Sequence, residues 1–145
     1  MYRATVLLIL LPLLTGAALA HSGVTNPKVM PRMHLMTDLK DTVAGLGAFA
    51  KGTQPFDAGE AARLADALAA QAAGVAAAFE DAAQDPKSEA RPEIWSDWTG
   101  FTAETAKLGA PAQAMQTESR AEVQFGMRAV AKACYSCHED YRLEN

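Results

Sequence analysis

The chain has 145 residues, a formal charge of −4 and two cysteines, both within its last dozen residues. Half of it is apolar but only 7% is aromatic, because 31 residues are alanine, a composition that favours helix over a sandwich or barrel. The acidic balance argues against a nucleic-acid binder held by phosphate contacts. The cysteine count excludes a disulfide-dense mini-domain and a four-cysteine zinc ribbon.

Residues 1–20 read as a cleaved secretory signal peptide. Arg3 is the positive n-region, an apolar run extends from Val6 to Leu14 with only Pro12 interrupting it, and Ala18-Leu19-Ala20 is a small-x-small cleavage signal. The run is short for a bilayer span. Cleavage after Ala20 leaves a single domain, residues 21–145, with a charge of −5 once Arg3 is lost. No second apolar run follows. The mature product is therefore expected to be soluble, free of the membrane and, if the source is bacterial, periplasmic.

Helix signals divide the rest into four parts. The first helix is expected after Asn26-Pro27 and Pro31 and runs to about Ala50. Leu35, Leu39, Thr42, Leu46 and Phe49 repeat at 4-3-4-3 spacing, and Lys51-Gly52-Thr53-Gln54-Pro55 stops the helix. The second opens at Asp57, with Glu60 three residues on in the manner of a capping box. Its inner stripe is Leu64, Leu68, Val75 and Phe79 among alanines. The third starts at Pro92, shows Ile94, Trp98, Phe101, Thr105 and Leu108, and is expected to break at Gly109 to Pro111. The last runs from about Thr117 to Tyr141, with Val123, Met127, Val130, Cys134, Cys137 and Tyr141 facing inward. Four amphipathic helices joined by short links predict an all-α, antiparallel up-down-up-down four-helix bundle. The carboxylates are expected mainly on outward faces or at caps.

Cys134-Tyr135-Ser136-Cys137-His138 is a Cys-x-x-Cys-His sequence, the attachment signature of a c-type haem. Residues three apart share a helix face, so the two thiols can add to the two vinyl groups on one porphyrin edge. His138, next to Cys137, can bring its imidazole to the iron. A zinc site needs four ligands, a thioredoxin-like pair expects a strand–turn–helix setting, and a disulfide between these cysteines would constrain little. One covalently attached haem c is the reading that uses all three residues.

The second axial position decides the function, and the candidates are His21, His34 and the methionines. On an ideal wheel of about 100° per residue, Arg32 falls about 20° and Met36 about 60° from the centre of the first helix's apolar arc at Leu39. Met33 and His34 fall about 120° and 140° away, toward solvent. Met36 is thus the geometric candidate for the ligand, with ordinary core packing as its other reading.

A Cys-x-x-Cys-His on the last of four helices resembles the class II c-type cytochromes, the cytochrome c′ family. Arg32-Met33-His34-Leu35-Met36 is similar to that family's Arg-x-x-x-(Leu/Met) element. Lys51-Gly52-Thr53-Gln54-Pro55-Phe56-Asp57 is similar to its first inter-helix loop, and Ala90-Arg91-Pro92-Glu93-Ile94-Trp95 to its approach to the third helix. The resemblance covers essentially the whole mature chain. It implies that Met36 occupies the distal position, as in low-spin members with His/Met ligation and an electron-transfer role. It also implies that Arg32 pairs with a haem propionate and that Arg142 is the family arginine near the proximal His138. The function expected is a soluble periplasmic electron-transfer cytochrome, not an enzyme, that meets redox proteins transiently. The alternative is a five-coordinate, high-spin cytochrome c′-like protein that binds nitric oxide or carbon monoxide. Monomer and homodimer both remain open.

Overall fold

The computed structural model describes residues 23–144; the expected signal peptide lies outside them. Helix α1 spans Met30–Lys51, with Pro31 in its first turn, where a missing N–H costs nothing. It ends at Gly52, whose φ of 72° is the left-handed conformation and whose N–H returns to the Ala48 and Phe49 carbonyls. Helix α2 spans Ala58–Ala78 and is capped by Asp57, which accepts from the Glu60 N–H. Only that half of the expected capping box forms. The Glu60 carboxylate instead takes the Arg63 guanidinium, at 2.7 and 2.6 Å.

The predicted third helix is two helices. α3 spans Glu93–Ser96 and α4 spans Trp98–Gln113. The break falls at Asp97, which leaves the helical region (φ −122°, ψ 55°) and caps α4 by accepting from the Gly100 N–H. The expected stop at Gly109 to Pro111 does not occur, and Pro111 sits inside the last turn of α4. Helix α5 spans Arg120–Tyr141 and begins later than Thr117, because Ser119 and Glu122 form a reciprocal capping box.

The four long helices form a ring: α1 packs on α2 and α5, and α4 packs on the same two. Consecutive members of the ring pack side by side, which is the four-helix bundle expected. Leu46, Leu68, Ile94, Val123 and Val130 are no more than 1% exposed at its centre. On α2 the fully buried positions include Ala61, Ala65 and Ala72, which have little side chain to hold a neighbour away.

The long connection from α2 to α3 is pinned rather than loose. The Asp85 carboxylate accepts the Thr25 and Asn26 N–H groups at 3.0 Å each and the Lys87 N–H at 2.8 Å. The segment leaving α5 is pinned too. The Arg91 N–H donates to the Tyr141 carbonyl and the Leu143 N–H to the Glu89 carbonyl, with Ala90 and Arg142 bridged between them.

Candidate haem site

Ring contacts bring the sequence-predicted residues to one end of the bundle. The Arg32 guanidinium, on the first turn of α1, lies 5.2 Å from the Phe79 ring centroid and 5.0 Å from that of Trp95. Phe79 stacks at 5.3 Å on Phe101, and Phe101 stands edge-on to Tyr141 at 5.3 Å. Met36 is one turn beyond Arg32, and Cys137 is one turn before Tyr141. The first turn of α1 and the last turn of α5 thus lie at the same end of the bundle, on neighbouring helices.

Helix geometry also says which flanks face each other. On α1, Leu35 lies beside Gly74 of α2, and Gly45 lies beside Leu64 of α2. That flank belongs to α2. Met36 and Val43 fall about 60° and 40° to the other side of Leu39, toward α5. On α5, Ser136 touches Glu104 of α4, which assigns its flank to α4. Met127, Cys134 and His138 fall about 40–80° to the opposite side of Val130, toward α1. Met36, Val43, Met127, Cys134 and Cys137 all pack against the core yet are only partly buried. His34 is exposed, as its wheel position predicted.

The surroundings of both cysteines favour the protonated thiol. Burial raises the Cys134 thiol. The Cys137 thiol is pushed up to about 11, first by burial and then by Glu104, Cys134 and Asp140. Redox-active or metal-binding cysteines are pushed the other way, toward thiolate. Among the described residues, no group of three or more His, Cys, Asp or Glu side chains is arranged to hold a metal ion. His138 is exposed as a residue, but desolvation of its ring holds it below the ordinary imidazole value. The Arg142 cation adds to this and Glu89 opposes it. A neutral imidazole is the form that ligates iron.

The two arginines have protein partners. Arg32 is 1% exposed; its Nη1 donates to the Asp81 carbonyl at 3.3 Å and its Nη2 to the Ala83 carbonyl at 2.7 Å. Its Nε is buried without a hydrogen-bond partner. Arg142 donates to the Glu89 carboxylate at 2.6 Å.

Glu104 was not legible as a site residue, and it departs from the expectation that carboxylates face outward. It is 9% exposed, and its Oε1 is held by Lys107. That ion pair, and then the Ser136 hydroxyl, keep its pKa below the usual carboxylate value. Its Oε2 is buried with no hydrogen-bond partner of normal geometry. Its spacing from Phe101 and Leu108 was the available signal, since residues at i, i+3 and i+7 share a face.

Half-buried thiols on one helix face with an imidazole beside them in sequence fit a covalently held haem. The sequence model of the family described as Cytochrome C' matches residues 28–142. The chain belongs to the cytochrome c′ family. Its members carry one covalently attached haem c, and Cys134 and Cys137 are the only cysteines here to hold it. The chain is 28% identical over 135 residues to cytochrome c-556 of Agrobacterium fabrum, covering 91% of this chain and 92% of that one. It is 36% identical over 107 residues to cytochrome c' of Pararhodospirillum photometricum, covering 70% and 85%. The structure of cytochrome c' from Rhodopseudomonas palustris superposes with a TM-score of 0.74 at 25% identity, over 83% of this chain and 99% of that one. Proteins named c-556 and proteins named c' both stand among these relatives, so membership establishes a c-type cytochrome and leaves its coordination state to the site.

Proposed function

We propose that the protein is a soluble periplasmic electron carrier, exported by residues 1–20, with one six-coordinate low-spin haem ligated by His138 and Met36. The observation that carries this reading is the pairing of flanks. By helix angle Met36 falls on the α5 side of α1, and Cys134 and His138 fall on the α1 side of α5, and these two helices pack together. His34, the histidine of α1, is exposed.

The haem supplies one-electron iron redox chemistry and needs no substrate bond to be made or broken. The chain's residues do the rest. Cys134 and Cys137 would hold the haem covalently, and the packing of α1 on α5 would set the spacing between the thioether of Met36 and the imidazole of His138. A thioether opposite histidine raises the potential relative to a second imidazole. Two fixed ligands limit rearrangement when the charge changes. Arg32, whose Nε has no hydrogen-bond partner, would be the residue to hold a propionate while its two Nη groups stay on the Asp81 and Ala83 carbonyls. Arg142, tied to Glu89, keeps a cation beside His138.

The absorption spectrum of the purified protein tests this. A low-spin ferric spectrum with the weak long-wavelength methionine-to-iron band is expected. A high-spin, five-coordinate spectrum would overturn the Met36 assignment and point to a gas-binding protein.

A further inference from the structure

The outward stripe of α5 is unlike the rest of this acidic chain. Ala121, Phe125, Arg128, Lys132, Tyr135 and Glu139 repeat at 4-3-4-3-4 spacing, the complement of the inward stripe that carries the cysteines. All six are exposed. Phe125 is 77% exposed and Tyr135 69%, the highest values among the exposed large hydrophobic residues described. Two cations stand between these aromatics, and neither Arg128 nor Lys132 makes an ion pair among the described residues. From Val123 to His138 the helix carries no carboxylate at all, although the chain as a whole is net acidic.

A helix surface normally sets charges of both signs side by side, and its large apolar residues face inward. Between Phe125 and Tyr135 this stripe does neither. Exposed aromatics interleaved with arginine and depleted of acids are the composition of a binding surface. Unpaired cations give it the opposite sign to an acidic patch, which steers encounter and sets orientation. From Phe125 to Tyr135 the stripe is about 15 Å long at the rise of an α-helix, a size that suits a small, transient contact rather than a permanent interface. It also overlaps the attachment motif in the chain: Tyr135 follows Cys134 and is itself inside the motif.

We propose that Phe125, Arg128, Lys132 and Tyr135 form the docking face for a protein partner with an acidic surface patch, which binds transiently beside the haem anchor. The inference rests on the electron-carrier reading for its purpose but not for its geometry. Attraction comes from Arg128 and Lys132 and weakens with salt, whereas Phe125 and Tyr135 exclude water once contact is made.

A gold surface bearing a carboxylate-terminated alkanethiol monolayer serves as the acidic probe for the holoprotein. Bound mass is read by quartz microbalance and electron transfer by voltammetry on the same surface. The wild type should bind at low salt and be released at high salt. Arg128→Glu with Lys132→Glu should weaken binding at least about tenfold, because two attractive charges become repulsive. Lys40→Glu with Lys51→Glu, the same charge change at exposed positions of α1, should weaken it no more than about twofold. Phe125→Ser should weaken binding while leaving its salt dependence intact. Equal losses in both charge-reversed pairs would overturn the proposal, since net charge alone would then govern binding. So would sedimentation showing that Phe125→Ser converts a dimer into a monomer, which would make the stripe a contact between copies. Specific binding of mass without a voltammetric wave would keep the docking face and remove the electron-carrier reading. A wave indifferent to Arg128 and Lys132 would do the reverse.

Discussion

The Tyr141 hydroxyl donates to Asp97 Oδ2 over 2.8 Å, while Asp97 Oδ1 accepts the Gly100 N–H over 3.1 Å. One carboxylate thus caps the start of α4 and holds the end of α5, one turn beyond the haem motif. Position 100 has room only for glycine. A Cβ there would stand 2.6 Å from the Tyr141 oxygen and would collide with Asp97 Oδ2.

This contact predicts an alkaline limit to stability. The Tyr141 phenol is pushed up to about 12, by burial first and then by its bond to Asp97 and the Asp97 charge. The folded state favours the protonated phenol. Its contribution is therefore complete below the ordinary tyrosine value of about 10 and is lost as pH rises from there through about 12. Thermal unfolding of the holoprotein should show that loss in the wild type and a flatter profile in Tyr141→Phe. At neutral pH the variant should be less stable by about 1 kcal/mol, the worth of one hydrogen bond. Superimposable pH profiles would clear Tyr141 of any part in the alkaline limb.

Asp85 predicts the acid limb. Its carboxyl is held below the usual aspartate value by the N–H groups of Lys87, Thr25 and Asn26, with burial opposing them. A depressed folded value means that the contribution is complete above about 4 and disappears as pH falls through the lower folded value. Asp85→Asn should lower stability at neutral pH and remove part of the acid dependence. An acid midpoint unchanged by the substitution would place the sensitive group elsewhere.

Arg32 should not tolerate lysine. Its planar fork serves two carbonyls while its faces meet Phe79 and Trp95, and a single ammonium cannot do both. Arg32→Lys should destabilise the holoprotein by about 2–4 kcal/mol, read from the denaturant midpoint. A loss below about 0.5 kcal/mol, the level of an ordinary surface change, would show the cage to be dispensable.

Met36→Leu separates the two coordination states. Removing the thioether should leave ferric haem high-spin and open the ferrous protein to carbon monoxide. If the spectrum does not change, another group ligates the iron, with His34 the next to substitute.

The helices themselves were readable because burial on one face imposes a 4-3 repeat on the residues. Leu39, Thr42, Leu46 and Phe49 in α1, and Val123, Val130 and Tyr141 in α5, are buried where that repeat put them. Even Arg32 was legible as inward, although its charge gave no hint of the carbonyls that would receive it. Boundaries were less readable where two local signals competed. Asp97 caps a new helix inside what looked like one continuous stripe. Pro111 is accepted near the end of α4, where the helix is already stopping two residues on.

The sequence by itself determined the helical class, the haem motif and its helical face, because those depend on spacing along one chain. It also singled out Met36 over His34, since both lie on one helix and differ only in angle. The tertiary structure alone decided which helices are neighbours, with α1 and α4 each lying between α2 and α5. It alone found the Glu104–Ser136 contact, the carbonyl cage of Arg32, the Tyr141–Asp97 tie and the unpaired cations of the outer stripe. Each depends on residues far apart in the chain arriving together, which no local pattern encodes. The two cysteines that first set this chain apart are half-buried thiols on the inward face of α5, packed against a core that leaves them partly open.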